Sequence, residues 1–216
     1  MSASKLTAKE HEPETSRSMI EEIKLRKGIR KILMAGSGAV GKTSLLTVLR
    51  EKKSLGELLE GEAEYHRTHF IDLSAIAASD LVEEDITGVC QMVDISGQLD
   101  SPIHALKDIS RTALGGVDVV ILVFASDNIQ SLIDLTEWMD LLTGYYISQT
   151  KSPTPDFILV RNKCDLNCTM DKGLIEAILH GNPQIVEYFE ISCMTGQGMN
   201  GIKRWLVDHL FKKEVA

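Results

Sequence analysis

Short, nearly unbroken apolar runs alternate along this chain with longer segments whose apolar residues recur every three to four positions. Lys31–Ala35, Val117–Phe124 and Phe157–Val160 are runs of the first kind. They are too short for helices and too continuous for strands with one wet face, so they predict strands buried on both sides. Lys42–Lys52, Ile103–Leu114, Ile129–Tyr146, Lys172–His180 and Asn200–Phe211 have helical spacing and predict amphipathic helices. Phe70–Ile76, Val89–Val93 and Val186–Ile191 complete a set of six strands. Strands alternating with helices argue for βα units, hence an α/β fold with a mostly parallel sheet and helices on both faces. Only Ala77 to Gly88 joins the second and third strands, too short a link for a helical crossover, so that pair is expected to be antiparallel. Ile133, Trp138 and Leu142 read as packing residues of the third helix.

The link between the first strand and the first helix is Gly36-Ser37-Gly38-Ala39-Val40-Gly41-Lys42-Thr43, which fits G-x-x-x-x-G-K-[ST]. A glycine-rich loop in this setting makes a concavity of backbone N–H groups at the positive end of a helix, where a phosphate is held. Glycine is required because a Cβ would block the backbone dihedrals or the approach of the phosphates. Gly38, Ala39, Val40, Gly41, Lys42, Thr43 and Ser44 are therefore the expected phosphate-binding residues. Lys42 would place a cation at the β- and γ-phosphates, and Thr43 a hydroxyl at Mg²⁺.

Two further motifs follow strand candidates. Asn162-Lys163-Cys164-Asp165 lies just past Phe157–Val160, outside the carboxyl end of a strand, where open α/β sheets bind ligands. A carboxylate at Asp165 can accept from the ring N1–H and the exocyclic amine of guanine together, a pair of donors that adenine lacks. A site built on that pairing rejects the wrong base by leaving a polar group unpaired. Val93-Asp94-Ile95-Ser96-Gly97-Gln98 contains D-x-x-G: Asp94 sets a carboxylate near the metal, and Gly97 offers an N–H to the γ-phosphate.

With these motifs in this order, and with Ile191-Ser192-Cys193-Met194-Thr195-Gly196 near the end, the chain resembles a small GTPase of the Ras superfamily (Rab, Ras or Arf-like) from about Gly28 onward. The resemblance implies a P-loop NTPase G domain, with GTP or GDP as ligand and Mg²⁺ as cofactor. Asn162, Lys163, Asp165, Ser192, Cys193 and Met194 would meet the base. The resemblance also implies a switch threonine at the γ-phosphate and metal. Thr68 and Thr87 are the candidates, and Thr68 is the better match, since Thr68 to Leu73 resembles the T-x-G-x-D-F pattern of the Rab branch. The metal set is then Thr43, Thr68 and Asp94. Catalysis would rest on Lys42 for charge and on Gln98 to orient the attacking water, giving a slow GTPase switch. Effectors, GTPase-activating proteins and exchange proteins would act through the switch segments. The alternative is a GTP-bound scaffold that does not hydrolyse.

Several positions depart from the family's pattern. Met194 stands where a base-covering lysine is common, although a flexible thioether can cover a ring face and the Cys193 N–H remains for the guanine carbonyl. Arg67 adjoins Thr68, but neighbours in an extended segment point oppositely, so it reads as a surface residue. The acidic run Gly56–Glu64 is either a solvated extension of the first helix or part of a longer first switch, solvation being the simpler reading.

With 216 residues and one set of motifs, the chain reads as one G domain over 29–216 behind a polar, flexible extension over 1–28. Of its four cysteines, Cys164 and Cys193 fall inside base motifs and no second pair adjoins Cys164 and Cys168, so a zinc site is not expected. Free thiols without a signal peptide suggest a cytoplasmic protein. A net charge of −8 argues against nucleic acid or an anionic membrane as partner. The final residues offer no cysteine for prenylation, and Ser2 stands where myristoylation needs a glycine. No direct lipid anchor is expected, and the chain reads as a divergent or prokaryotic-type member.

Overall fold

The computed structural model describes residues 28–60, 71–95, 113–148, 153–166 and 170–212. Residues 1–27 of the N-terminal extension and nearly all of the helix expected at Ile103–Leu114 lie outside these residues. In chain order the elements are β1 (Ile29–Ala35), α1 (Lys42–Glu51), α2 (Leu55–Leu59), β2 (Ile71–Ala77), α3 (Ala78–Leu81) and β3 (Val89–Ile95). There follow β4 (Val119–Ala125), α4 (Ile129–Ile133), α5 (Leu135–Ser148), β5 (Asp156–Asn162), α6 (Lys172–Gly181), β6 (Ile185–Glu190) and α7 (Met199–Phe211).

The continuous apolar runs are explained by a sheet covered on both faces. In β1, Ile32 and Met34 enter one apolar cluster, with α1 and α7, while Leu33 and Ala35 enter a second, with α4, α5 and α6. Every residue of β4 is buried, so alternation along the strand sorts side chains between two cores rather than between core and water. The strand order is β2-β3-β1-β4-β5-β6, parallel throughout except for β2, which runs against β3 with Ile71 opposite Ile95 and Ala77 opposite Val89. The α/β reading with one antiparallel strand holds. Because β1 sits between β3 and β4, chain connections leave it toward both halves of the sheet, and a crevice opens at its carboxyl end. The loops after β1, β4, β5 and β6 share that edge.

Some expectations need correction. The first helix stops at Lys52, which adopts a left-handed conformation (φ 59°), and the acidic run opens a separate short helix, α2, rather than extending α1. Ser54 accepts the Glu57 N–H while the Glu57 carboxylate accepts the Ser54 N–H, a capping box legible as S-x-x-E in the sequence. The long third helix is divided at Asp134 into α4 and α5. Trp138 and Leu142 are buried as expected, but Ile133 is 50% exposed on the outer side of α4. A single turn, α3, occupies the β2–β3 link, anchored by the Ala78 N–H on the Gly88 carbonyl.

Leu122 lies fully buried in β4, at the centre of the sheet. Leu122→Ala should cost about 2–5 kcal/mol through lost burial and a residual cavity. Chemical denaturation should show a lower midpoint with an unchanged slope.

Candidate functional site

The loop leaving β1 takes its shape from two close approaches. Gly36 has φ +138°, and a Cβ there would run into the Val123 carbonyl of the neighbouring strand. Gly41 has φ +96°, and a Cβ there would strike the Asn162 amide. Ala39 holds the left-handed conformation at φ +61° without being glycine. Gly41 caps α1 without a side-chain hydrogen bond, and the first turn carries no acidic residue, so the positive end of the helix is not neutralised from within it.

Lys42, the first residue of α1, is 6% exposed and folds back beneath the loop. Its Nζ donates to the carbonyls of Gly36 (2.8 Å) and Ser37 (2.9 Å). Burial lowers its pKa to about 8, against the partly compensating charge of Asp94. An ammonium held this way is a cation in want of an anion.

Asp94 is the penultimate residue of β3, in register with Met34, and is fully buried. The Thr43 hydroxyl donates to its Oδ2 at 2.7 Å. A hydroxyl beside a buried carboxylate is a hard oxygen pair that fits Mg²⁺, an ion that keeps waters and takes phosphate oxygens for its remaining positions. Among the described residues no group of three or more His, Cys, Asp or Glu could hold a metal ion.

Asn162 connects the phosphate loop to the loops after β5 and β6. The sequence reading put it just past a strand, whereas it is the last residue of β5, so the β-ladder sets its direction. Its Nδ2 donates to the Val40 carbonyl (3.0 Å) and its Oδ1 accepts the Cys193 N–H (3.1 Å). The Cys193 amide is therefore bonded to Asn162, not left open as the sequence suggested. Lys163 has φ +63° and pairs with Asp127 at 3.1 Å. Ser192 donates its hydroxyl to Asp165 Oδ1 at 2.5 Å and accepts the Thr195 N–H at 3.1 Å, so the loops after β5 and β6 fix one another. Cys193 is buried, its thiol pushed up to about 12 by desolvation, while Met194 is 46% exposed at the rim.

The structure thus gathers Gly38 to Ser44, Asp94, Asn162 to Asp165 and Ser192 to Met194 at one edge of the sheet. Thr68, Gly97 and Gln98, with Arg67, lie outside the described residues. Thr87 precedes β3 at the far end of that strand from Asp94, about 20 Å away at the usual rise per residue. It cannot serve the same site. Sequence reasoning missed Asp134, whose carboxylate accepts the Ser37 hydroxyl (2.6 Å) and the Gln130 amide (2.7 Å), bracing the phosphate loop from α4. It also missed Arg161, buried below Asn162 and bonded to Ser126 (2.9 Å) and Glu190 (3.1 Å). Neither carried a local signal for its role, because Ser37, Ser126 and Glu190 arrive from distant parts of the chain.

A family model described as the Ras family matches residues 31–212, from within β1 to just past α7. GTP-binding protein RHO2 of Saccharomyces cerevisiae is 30% identical over 184 residues, 80% of this chain and 84% of that protein. GTP-binding protein YPTC5 of Chlamydomonas reinhardtii is 28% identical over 145 residues, 66% of this chain and 61% of that protein.

The lowered pKa of Lys42 has a consequence for anion binding. A phosphate held against Lys42 would favour the ammonium, so above pH 8 the loop would gain a proton as a polyphosphate binds. Affinity should then fall with rising pH, by at most about tenfold per unit. Calorimetry at about pH 9, one unit above that pKa, in buffers of different ionisation heat should register proton uptake, and Lys42→Met should abolish it.

Proposed function

This chain belongs to the Ras family, and from that premise we propose that it is a guanine-nucleotide switch that binds GTP and GDP with Mg²⁺ and hydrolyses GTP slowly. The observation that carries the reading is the bridge at Asn162, which joins a phosphate loop and two base loops into one cradle. The relatives' names supply the nucleotide, and the chemistry of Asp165 supports the same base.

In this reading the amides of Gly38 to Ser44 hold the phosphates, and Lys42 turns from the loop carbonyls to the β- and γ-phosphate oxygens. Thr43 and Asp94 would hold Mg²⁺, which when bound neutralises charge on the β- and γ-phosphates. Asp165 accepts from the guanine ring, Ser192 fixes that carboxylate, and Met194 covers a face of the base. Asn162 keeps the Cys193 segment against the base through its amide. Gln98 orients the attacking water, and Thr68 and the Gly97 N–H meet the γ-phosphate, so loss of that phosphate releases both switch segments. Turnover is slow alone because phosphoryl transfer of this type gains about 10³–10⁵-fold from a partner's arginine. Effectors, activating proteins and exchange proteins are the partners implied.

Two outcomes test this. Asp165→Asn replaces one acceptor with a donor, so the site should lose guanine and gain xanthine, whose second exocyclic group is a carbonyl. Competition among GTP, XTP and ATP reads the exchange, and wild type that binds ATP as well as GTP contradicts the base assignment. Gln98→Leu should leave GTP affinity nearly unchanged and cut single-turnover hydrolysis sharply, because the amide acts on water. Hydrolysis at the wild-type rate would remove Gln98 from the mechanism.

A further inference from the structure

The acidic segment after α1 makes a contact that the proposed switch does not use. The first turn of any helix leaves backbone N–H groups without partners inside the helix. In α2 these donors are divided between two sources. Glu57 N–H bonds to the Ser54 hydroxyl (3.3 Å), closing a box in which the Glu57 carboxylate accepts from the Ser54 N–H and hydroxyl (2.7 Å each). The two preceding amides leave the helix altogether: Leu55 N–H donates to the Cys193 carbonyl (2.8 Å) and Gly56 N–H to the Met194 carbonyl (3.0 Å).

The base loop is thus held from both sides. Asn162 accepts the Cys193 N–H, and α2 donates to the carbonyls of Cys193 and Met194. Packing follows the same line. Leu55 packs on the core that α1 and α7 share, and a Cβ on Gly196 would stand 3.6 Å from the Ser54 Cβ. Gly56 lacks a side chain at this backbone contact: a Cβ there would stand 3.0 Å from the Met194 carbonyl oxygen and 3.9 Å from its sulfur.

We propose that α2, locked by the Ser54–Glu57 box, is a clamp on the Cys193–Thr195 loop and sets how long a guanine nucleotide stays bound. The inference rests on the nucleotide-binding reading and adds positioning residues to it: Ser54, Gly56 and Glu57 act through the loop and touch no ligand. Only if the box holds the helical turn do the Leu55 and Gly56 amides point together at the loop. Weakening the box frees the loop, and the base leaves sooner.

The test is the dissociation rate of a fluorescent GDP analogue from the full-length chain, chased with excess unlabelled GDP. Ser54→Ala should speed release by up to about fivefold, the factor to which the about 1 kcal/mol lost with an N-cap converts. Glu57→Ala should speed it in the same direction by opening the other half of the box. Glu57→Gln should stay near the wild-type rate, since glutamine serves equally at this position of a capping box. Gly56→Ala separates clamp from mere helix stability. Alanine is the better helix former, so a purely structural role predicts slower or unchanged release, whereas the clamp predicts faster release because the methyl crowds the Met194 carbonyl. Release at the wild-type rate from Ser54→Ala and Glu57→Ala, or slower or unchanged release from Gly56→Ala, overturns the clamp alone. A wild-type chain that retains no guanine nucleotide overturns the proposed function, and the clamp with it.

Discussion

The two hydrogen bonds of Asn162 are the constraint from which the geometry of this edge follows. One buried amide side chain donates to Val40 in the phosphate loop and accepts from Cys193 in the last loop. Loops after three different strands would otherwise be independent segments, each with its own conformational entropy. Because the amide is buried, losing either partner leaves a polar group unsatisfied, which costs about 1–3 kcal/mol. The arrangement is therefore close to all or none. Gly41 contributes by omission, since any side chain there would occupy the space the Asn162 amide needs.

Around this fixed frame the charges are arranged in tension. Lys42 and Asp94 are both buried, and the lysine's pKa is lowered by burial despite the carboxylate nearby. The site thus carries desolvated charge that a polyanion and a divalent cation would relieve. Asp134 acts on the same loop from α4, holding Ser37 by its hydroxyl, so the loop's carbonyls stay where Lys42 can reach them.

What the sequence showed and what it hid divide along a physical line. The strands, the glycine-shaped loop after β1 and the antiparallel β2 were legible because each depends on local chemistry: burial on two faces, glycine dihedrals, a short connection. Strand ends were less so. Asp94 and Asn162 proved to be ladder residues rather than loop residues, because polar side chains can end a strand when the site beyond it satisfies them. The capping box at Ser54 and Glu57 was present in plain spacing but masked by the charge of the acidic run into which it leads. Asp134, Arg161 and the engaged Cys193 amide carried no local signal, because their partners lie far along the chain or in another loop. They are products of the fold.

The parallel register also acts as a ruler. β1, which feeds the phosphate loop, and β5, which feeds the Asn162–Asp165 loop, are separated by β4 alone. Two strand spacings are about 10 Å, and the ladders on either side of β4 do not allow that interval to stretch. A ligand whose anionic end and planar end are separated by that span engages both loops at once. Once one end is held, the other arrives at high effective concentration, so its binding is an intramolecular event. A bare phosphate or a free base of the same chemistry has no such second grip. Selection for a whole nucleotide over its fragments is in this sense a property of the sheet, set by the distance between its strands before any side chain makes contact.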